Sequence, residues 1–125
     1  MTDPASFKIL AIETSTLTGS IALVSGGRLT GETTLSVSVQ HSERLMPAID
    51  QLLRDSGVSA KEIDLFAVAE GPGSFTGLRI GIAAAQGLSL SHGKPIVGVS
   101  TLEGLAMNGI YFAGTVIPVL NAFRG

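Results

Sequence analysis

The run Glu70-Gly71-Pro72-Gly73-Ser74-Phe75-Thr76-Gly77-Leu78-Arg79-Ile80-Gly81 constrains this chain more than any other. It follows an apolar stretch over 65–69, which reads as a buried strand, and leads into a segment rich in alanine and glycine. Gly71 and Gly73 relax the backbone limits on either side of Pro72, which fixes its own φ and pushes Gly71 towards an extended shape. Ser74 or Thr76 can accept from the free N–H groups of a first helical turn. The spacing therefore predicts strand, turn and helix N-terminus. Such a junction can hold an anion, or it can be a tight crossover that holds nothing. Two nucleotide loops are excluded. A G-x-G-x-x-G fingerprint needs glycine where Thr76 stands, and a P-loop needs lysine and a hydroxyl residue where Leu78 and Arg79 follow Gly77.

Charged residues make up only 14% of the chain, against about 25% in ordinary domains. Sixteen of the 125 residues are glycine, well above the usual level of about 7%. This composition predicts close backbone packing and more buried surface than a free monomer of this size needs. Eight basic and ten acidic side chains leave a net charge of −2, so no positive field exists to hold a nucleic-acid backbone unaided. Cysteine is absent, which removes disulfides and thiol chemistry. Asp3 and Pro4 do not suit a signal peptide, and no long apolar run suits a membrane span. No membrane association and a cytoplasmic address are the expectation. The length suits one modest domain or part of a larger one. A strand-like run that stops at 121–125 points to a second lobe cut short. The expected division is a flexible tail over 1–7, one α/β lobe over 8–120, and the start of the next lobe over 121–125.

Residues 8–14 read as a central strand and 20–24 as a second. Gly26-Gly27 is a plausible hairpin turn, and 28–39 alternates as a strand with one wet face. A helix is expected over 42–56, with Leu45, Ile49, Leu52 and Leu53 on one stripe, Ser42 as a cap and Gly57 as a stop. Pro47 conflicts with that start and should bend the first turn. A second helix over 76–92 closes at Gly93. A strand over 96–99 follows, then a short helix from the Ser100/Glu103 box to about 108, and a last strand over 116–120. The whole predicts a mixed sheet with three antiparallel strands first and helix-linked strands after.

Along the second helix, Gly77, Gly81, Ala84, Ala85 and Leu88 form a strip of mostly small residues. Gly81 and Gly87 would each cost up to about 1 kcal/mol relative to alanine, which implies a packing return on the sheet beneath or on another subunit. Glu13 ends the first strand beside Thr14, Ser15 and Thr16. It can hold hydrated Mg²⁺ and accept phosphate contacts, or it can cap its own turn. His41 and His92 lack the spacing of a metal pair, and no serine elbow occurs. Arg79 in a first helical turn opposes the dipole, which suggests that it meets an anion across a surface.

Four segments together resemble the bacterial TsaB family, also called YeaZ, within the actin-like ATPase superfamily. They are Ile9-Leu10-Ala11-Ile12-Glu13-Thr14-Ser15-Thr16, His41-Ser42-Glu43-Arg44-Leu45-Met46-Pro47, Gly71-Pro72-Gly73-Ser74-Phe75-Thr76-Gly77-Leu78-Arg79 and Gly98-Val99-Ser100-Thr101-Leu102-Glu103. The likeness spans nearly the whole chain but only about the first half of a typical member. It implies a ribonuclease H-like, actin-like N-terminal lobe. It also implies a non-catalytic scaffold role beside the TsaD transferase in threonylcarbamoyladenosine formation in tRNA. A TsaE-like ATPase would be a further partner, the isolated protein would form a homodimer, and tRNA would be met only through the assembled complex. No catalytic residue and no metal site is expected, because Leu45 stands where catalytic relatives have the second histidine after His41. Glu13 replaces a usual aspartate, so Glu13, Ser15 and Thr16 are at most a vestigial nucleotide site. The alternative is a nucleotide-dependent transferase or kinase that uses Glu13 and Ser15 with ATP or ADP and Mg²⁺; otherwise no cofactor is implied. The implied helical interface is Leu45, Ile49, Leu52, Gly77, Arg79, Gly81, Ala84, Ala85 and Leu88.

Overall fold

A computed structural model describes residues 4–36 and 39–121. Three strands come first: β1 (Lys8–Glu13), β2 (Thr18–Ser25) and β3 (Arg28–Ser36). Helix α1 (Leu45–Asp55) then leads to β4 (Leu65–Gly71), α2 (Phe75–His92), β5 (Ile96–Ser100) and α3 (Thr101–Ala106). The sheet order is β3-β2-β1-β4-β5. The β1–β2 and β2–β3 pairs are antiparallel, whereas β4 and β5 join in parallel. β1 is central and β3 lies at an edge, as their apolar and alternating patterns predict.

Register explains the core. Leu10 sits opposite Leu23 on one side and Phe66 on the other, and Ile12 likewise opposes Ile21 and Val68. These six side chains form two apolar rows on one face, all buried. Leu45, Ile49, Leu52 and Leu53 of α1, with Ala85 and Leu88 of α2, close over them in one cluster. The other face carries a row of small residues, since Ala11 pairs with both Ala22 and Ala67.

The turns follow their chemistry. Gly26 and Gly27 both adopt positive φ, 57° and 78°, and make the two-residue hairpin between β2 and β3. Of the tail expected over 1–7, Pro4–Ser6 form a 3-10 turn, and the Phe7 carbonyl accepts from the Gly26 N–H at 2.9 Å. Helix α1 ends in a Schellman pattern. The Val58 N–H bonds to the Leu53 carbonyl at 2.9 Å and the Gly57 N–H to Arg54 at 3.0 Å, with Gly57 at φ 66°.

Several expectations are corrected. The α-helix does not start at Ser42. A 3-10 segment, Val39–Arg44, precedes it, and Arg44 is the N-cap without a side-chain bond. Pro47 becomes the third helical residue, where its missing N–H lies among those with no helical partner anyway, so the conflict disappears. Gly71 is not extended but has φ 116°, a conformation that favours glycine. The last strand, expected over 116–120, is not formed. Those residues lie outside any ladder, Pro118 lacks a donor, and Ile117 and Val119 are about three-quarters exposed. Val37 and Arg124 fall outside the described residues, as does all of 121–125 beyond Asn121.

Candidate functional site

The C-terminal end of β1 meets the β4–α2 junction, and glycine makes the meeting possible. A Cβ on Gly73 would come within 2.6 Å of the Ser15 carbonyl oxygen, one on Gly77 would overlap the Thr14 carbonyl oxygen, and one on Gly81 would overlap Thr14 Oγ1. Hydrogen bonds lock the approach. The Ser74 N–H donates to the Ser15 carbonyl at 2.7 Å, and Thr14 Oγ1 donates to the Gly77 carbonyl at 2.6 Å. Ser74 caps α2 by accepting from the Gly77 N–H at 3.2 Å. The cap therefore falls to Ser74, the first of the two hydroxyls expected to compete for it. Ser74→Ala should lower stability by about 1 kcal/mol, read as a shift of the urea midpoint with unchanged slope.

Glu13 takes the modest of its two expected roles. Its Oε1 accepts from the Ser15 N–H at 2.8 Å and from Ser15 Oγ, so the carboxylate closes its own turn. Ser15 is buried, while Thr16 is exposed and its Oγ1 donates to the Thr18 carbonyl at 2.9 Å. Glu13, Ser15 and Thr16 do share one groove of about 460 Å³ on the open face of the sheet, floored by Ala11, Ala22 and Ala67 and walled by α3. Thr101 Oγ1, buried in that wall, has no hydrogen-bond partner among the described residues. In this arrangement the Ser15 N–H that would meet a phosphate is bonded to Glu13, so the loop would have to release that carboxylate to take one. Among the described residues no group of three metal-ligating side chains occurs. The His41 side chain lies outside the description.

Most of the residues expected at the helical interface pack within the chain. Leu45, Ile49 and Leu52 are buried between α1 and the sheet, and Gly77, Gly81, Ala85 and Leu88 are buried on the inner side of α2. The reason is the steric fit to Thr14 and to the two apolar rows, which uses this strip inside the chain. Ala84 is half-buried and Arg79 exposed. The Arg79 guanidinium stands 5.3 Å from the centroid of the Phe75 ring, an intrachain partner that offsets its placement near the helix N-terminus. Between α1 and the outer side of α2 runs a second groove of about 460 Å³, lined by Met46, Ile80, Ala83, Ala84, Gly87 and Ser91 among others. Gly87 is exposed, and a Cβ there would meet nothing within 4 Å. Packing among the described residues explains Gly81 but not Gly87. Sequence reasoning noted the helix-breaking cost of Gly87 yet left it out of the interface, because it lies off the strip of buried residues.

A five-stranded sheet of this order, antiparallel first and parallel after, with α1 and α2 on one face, defines a ribonuclease H-like lobe. Thermus thermophilus RuvC in complex with a Holliday junction substrate shares that fold at TM-score 0.56 and 14% identity, over 80% of this chain and 70% of that one. Residues 35–125 match the family described as TsaD, tRNA N6-adenosine threonylcarbamoyltransferase, and the chain belongs to that family, resembling its TsaB/YeaZ members. The tRNA threonylcarbamoyladenosine biosynthesis protein TsaB of Bacillus subtilis is 43% identical over 94% of this chain and 51% of its own length. YeaZ from Pseudomonas aeruginosa has TM-score 0.77 and 36% identity, covering 85% of this chain and 49% of that one. The chain spans about half the length of the curated relatives it matches. No helix among the described residues is long and apolar enough to cross a membrane.

Proposed function

We propose that this chain is a docking subunit, with no bond-making role of its own, in the threonylcarbamoyl modification of tRNA adenosine in the cytoplasm. Its partner is a TsaD-like transferase, bound through the outer groove between α1 and α2. The observation that carries this reading is Gly87. A glycine inside a helix costs about 1 kcal/mol relative to alanine, and among the described residues no atom lies where a side chain at this position would stand. Beside it lie Ala83, Ala84 and the exposed Met46, so another backbone can approach closely. The same face would pair two copies when the transferase is absent. A TsaE-like ATPase would join the assembled pair, and tRNA would be contacted there, since a net charge of −2 gives this chain no hold on RNA alone. The apolar surface of α3 and residues 110–121, where Glu103 is the one charged residue over 101–121, is the proposed seat of a second lobe. The test is sedimentation velocity of the chain with the transferase of the same source. A co-sedimenting complex is expected, and independent boundaries at tens of micromolar would defeat the proposal.

The kinase-like alternative is tested separately by titrating ATP and Mg²⁺ in a calorimeter. The expected result is no saturable heat, because Glu13 already occupies the Ser15 N–H. Micromolar binding that vanishes in Glu13→Ala would establish the alternative.

A further inference from the structure

The two edges of the sheet are protected unequally. β3 carries Arg28 and Glu32 among hydroxyl residues, a polar edge of the kind that discourages further pairing. β5 has neither a charge nor a proline within Ile96–Ser100, and Ile96, Val97 and Val99 are exposed. The Phe66 N–H donates to the Pro95 carbonyl at 3.0 Å. Pro95 and Val97 thus turn backbone groups towards β4, while Ile96 and Gly98 turn theirs to the free side. At Gly98 the place of a Cβ is filled by the carboxylate of Glu70, which reaches across from β4. Glu70 is exposed, and among the described residues no cation is paired with it. An anion therefore lies over the open backbone on the α2 side of the sheet, while Val97 and Val99 line the opposite side of the same strand, in register with Ala67 and Ala69.

We propose that the free edge of β5 receives an extended segment of a partner protein. That segment carries a lysine or arginine facing Glu70 and apolar side chains at the alternating positions, beside Val97 and Val99. Main-chain bonds to Ile96 and Gly98 supply adhesion, and the charge selects the segment. A second copy of this chain is the poorer occupant. Antiparallel pairing of β5 with itself about Gly98 would set one Glu70 against the other, and like charges brought together are repelled. The site lies on a different element from the α1–α2 groove and does not depend on it.

Fluorescence anisotropy on the 125-residue chain tests this with a labelled short peptide of alternating valine and threonine bearing one central arginine. Its twin carries glutamate instead. The arginine peptide should bind at least about tenfold more tightly than the glutamate peptide. Glu70→Lys should reverse that order, and Gly98→Pro, which removes the outward N–H, should abolish both, with circular dichroism checking the fold. Should Gly98→Pro disturb the fold, the charge reversal decides alone. No binding of the arginine peptide at millimolar concentration, or equal affinity for the two peptides, would overturn the proposal. So would a chain dimer that Gly98→Pro dissociates, since it would put a second copy on the edge.

Discussion

Gly81→Leu unfolds this chain or leaves it with only residual stability. The position lies on the inner side of α2, and even a Cβ would overlap Thr14 Oγ1 and come within 3.4 Å of Ile12 Cγ2. Thr14 cannot turn away freely, because its hydroxyl is buried and bonded to the Gly77 carbonyl. Overpacking a close-packed interior costs about 1–3 kcal/mol even where neighbours can yield. Here the cost of a whole leucine side chain adds to the lost Thr14 bond, worth about 1 kcal/mol. A small domain holds about 5–15 kcal/mol in all, and one with an open apolar face has little in reserve. Gly81→Ala is the milder form, a loss of about 1–2 kcal/mol after the gain in helix propensity is set against the overlap. Gly87→Ala is the matched control. With nothing within 4 Å of its Cβ, it should stabilise the chain by up to about 1 kcal/mol. Urea unfolding of the three variants reads this directly, and equal behaviour of Gly81→Ala and Gly87→Ala would contradict the division of the helix into two sides.

The second large effect concerns docking. Gly87→Arg leaves the fold intact, since the position is exposed and unobstructed. It places a long charged side chain in the groove beside Met46 and Ala83, where a partner helix would have to lie. Burying an unpaired charge in an interface costs several kcal/mol, so affinity for the transferase should fall by about a hundredfold or more, given tenfold for each 1.4 kcal/mol. Circular dichroism should match the parent, and the urea midpoint should hold or rise, because arginine gains helix propensity over glycine as alanine does. Retained affinity would remove the α1–α2 groove from the interface.

Much of the architecture was legible in the residues. The two-residue glycine hairpin, the serine-capped helix and the stop at Gly93 each follow from local backbone chemistry, and all are present; the strand expected over 65–69 is there too but runs on to Gly71. Periodicity also placed Leu45, Ile49, Leu52 and Leu53 on one stripe, and they share one core. What periodicity could not decide was which way the glycines of α2 face. Gly81 and Gly87 are the same residue at neighbouring turns, and Gly81 is distinguished by Thr14, far away in sequence, whose hydroxyl reaches the same helix at Gly77. A tertiary contact of that kind leaves no trace in a helical repeat. Glu13 was ambiguous for a related reason. An acid beside hydroxyls can serve a cation or its own turn, and only the bond to the Ser15 N–H settles its local role. The run over 116–120 misled because β-branched content signals burial as readily as pairing, and here it is neither buried nor paired.

The most direct measurement is a sedimentation-velocity titration of the transferase with the parent chain, Gly87→Arg and Gly87→Ala side by side. If this chain works by presenting the outer side of α2, the parent and Gly87→Arg separate, the first in a shared boundary with the transferase and the second alone. Gly87→Ala, small enough for a close neighbour, falls between them. A Gly87→Arg chain that travels with the transferase as the parent does, while folded as the parent is, would contradict the account.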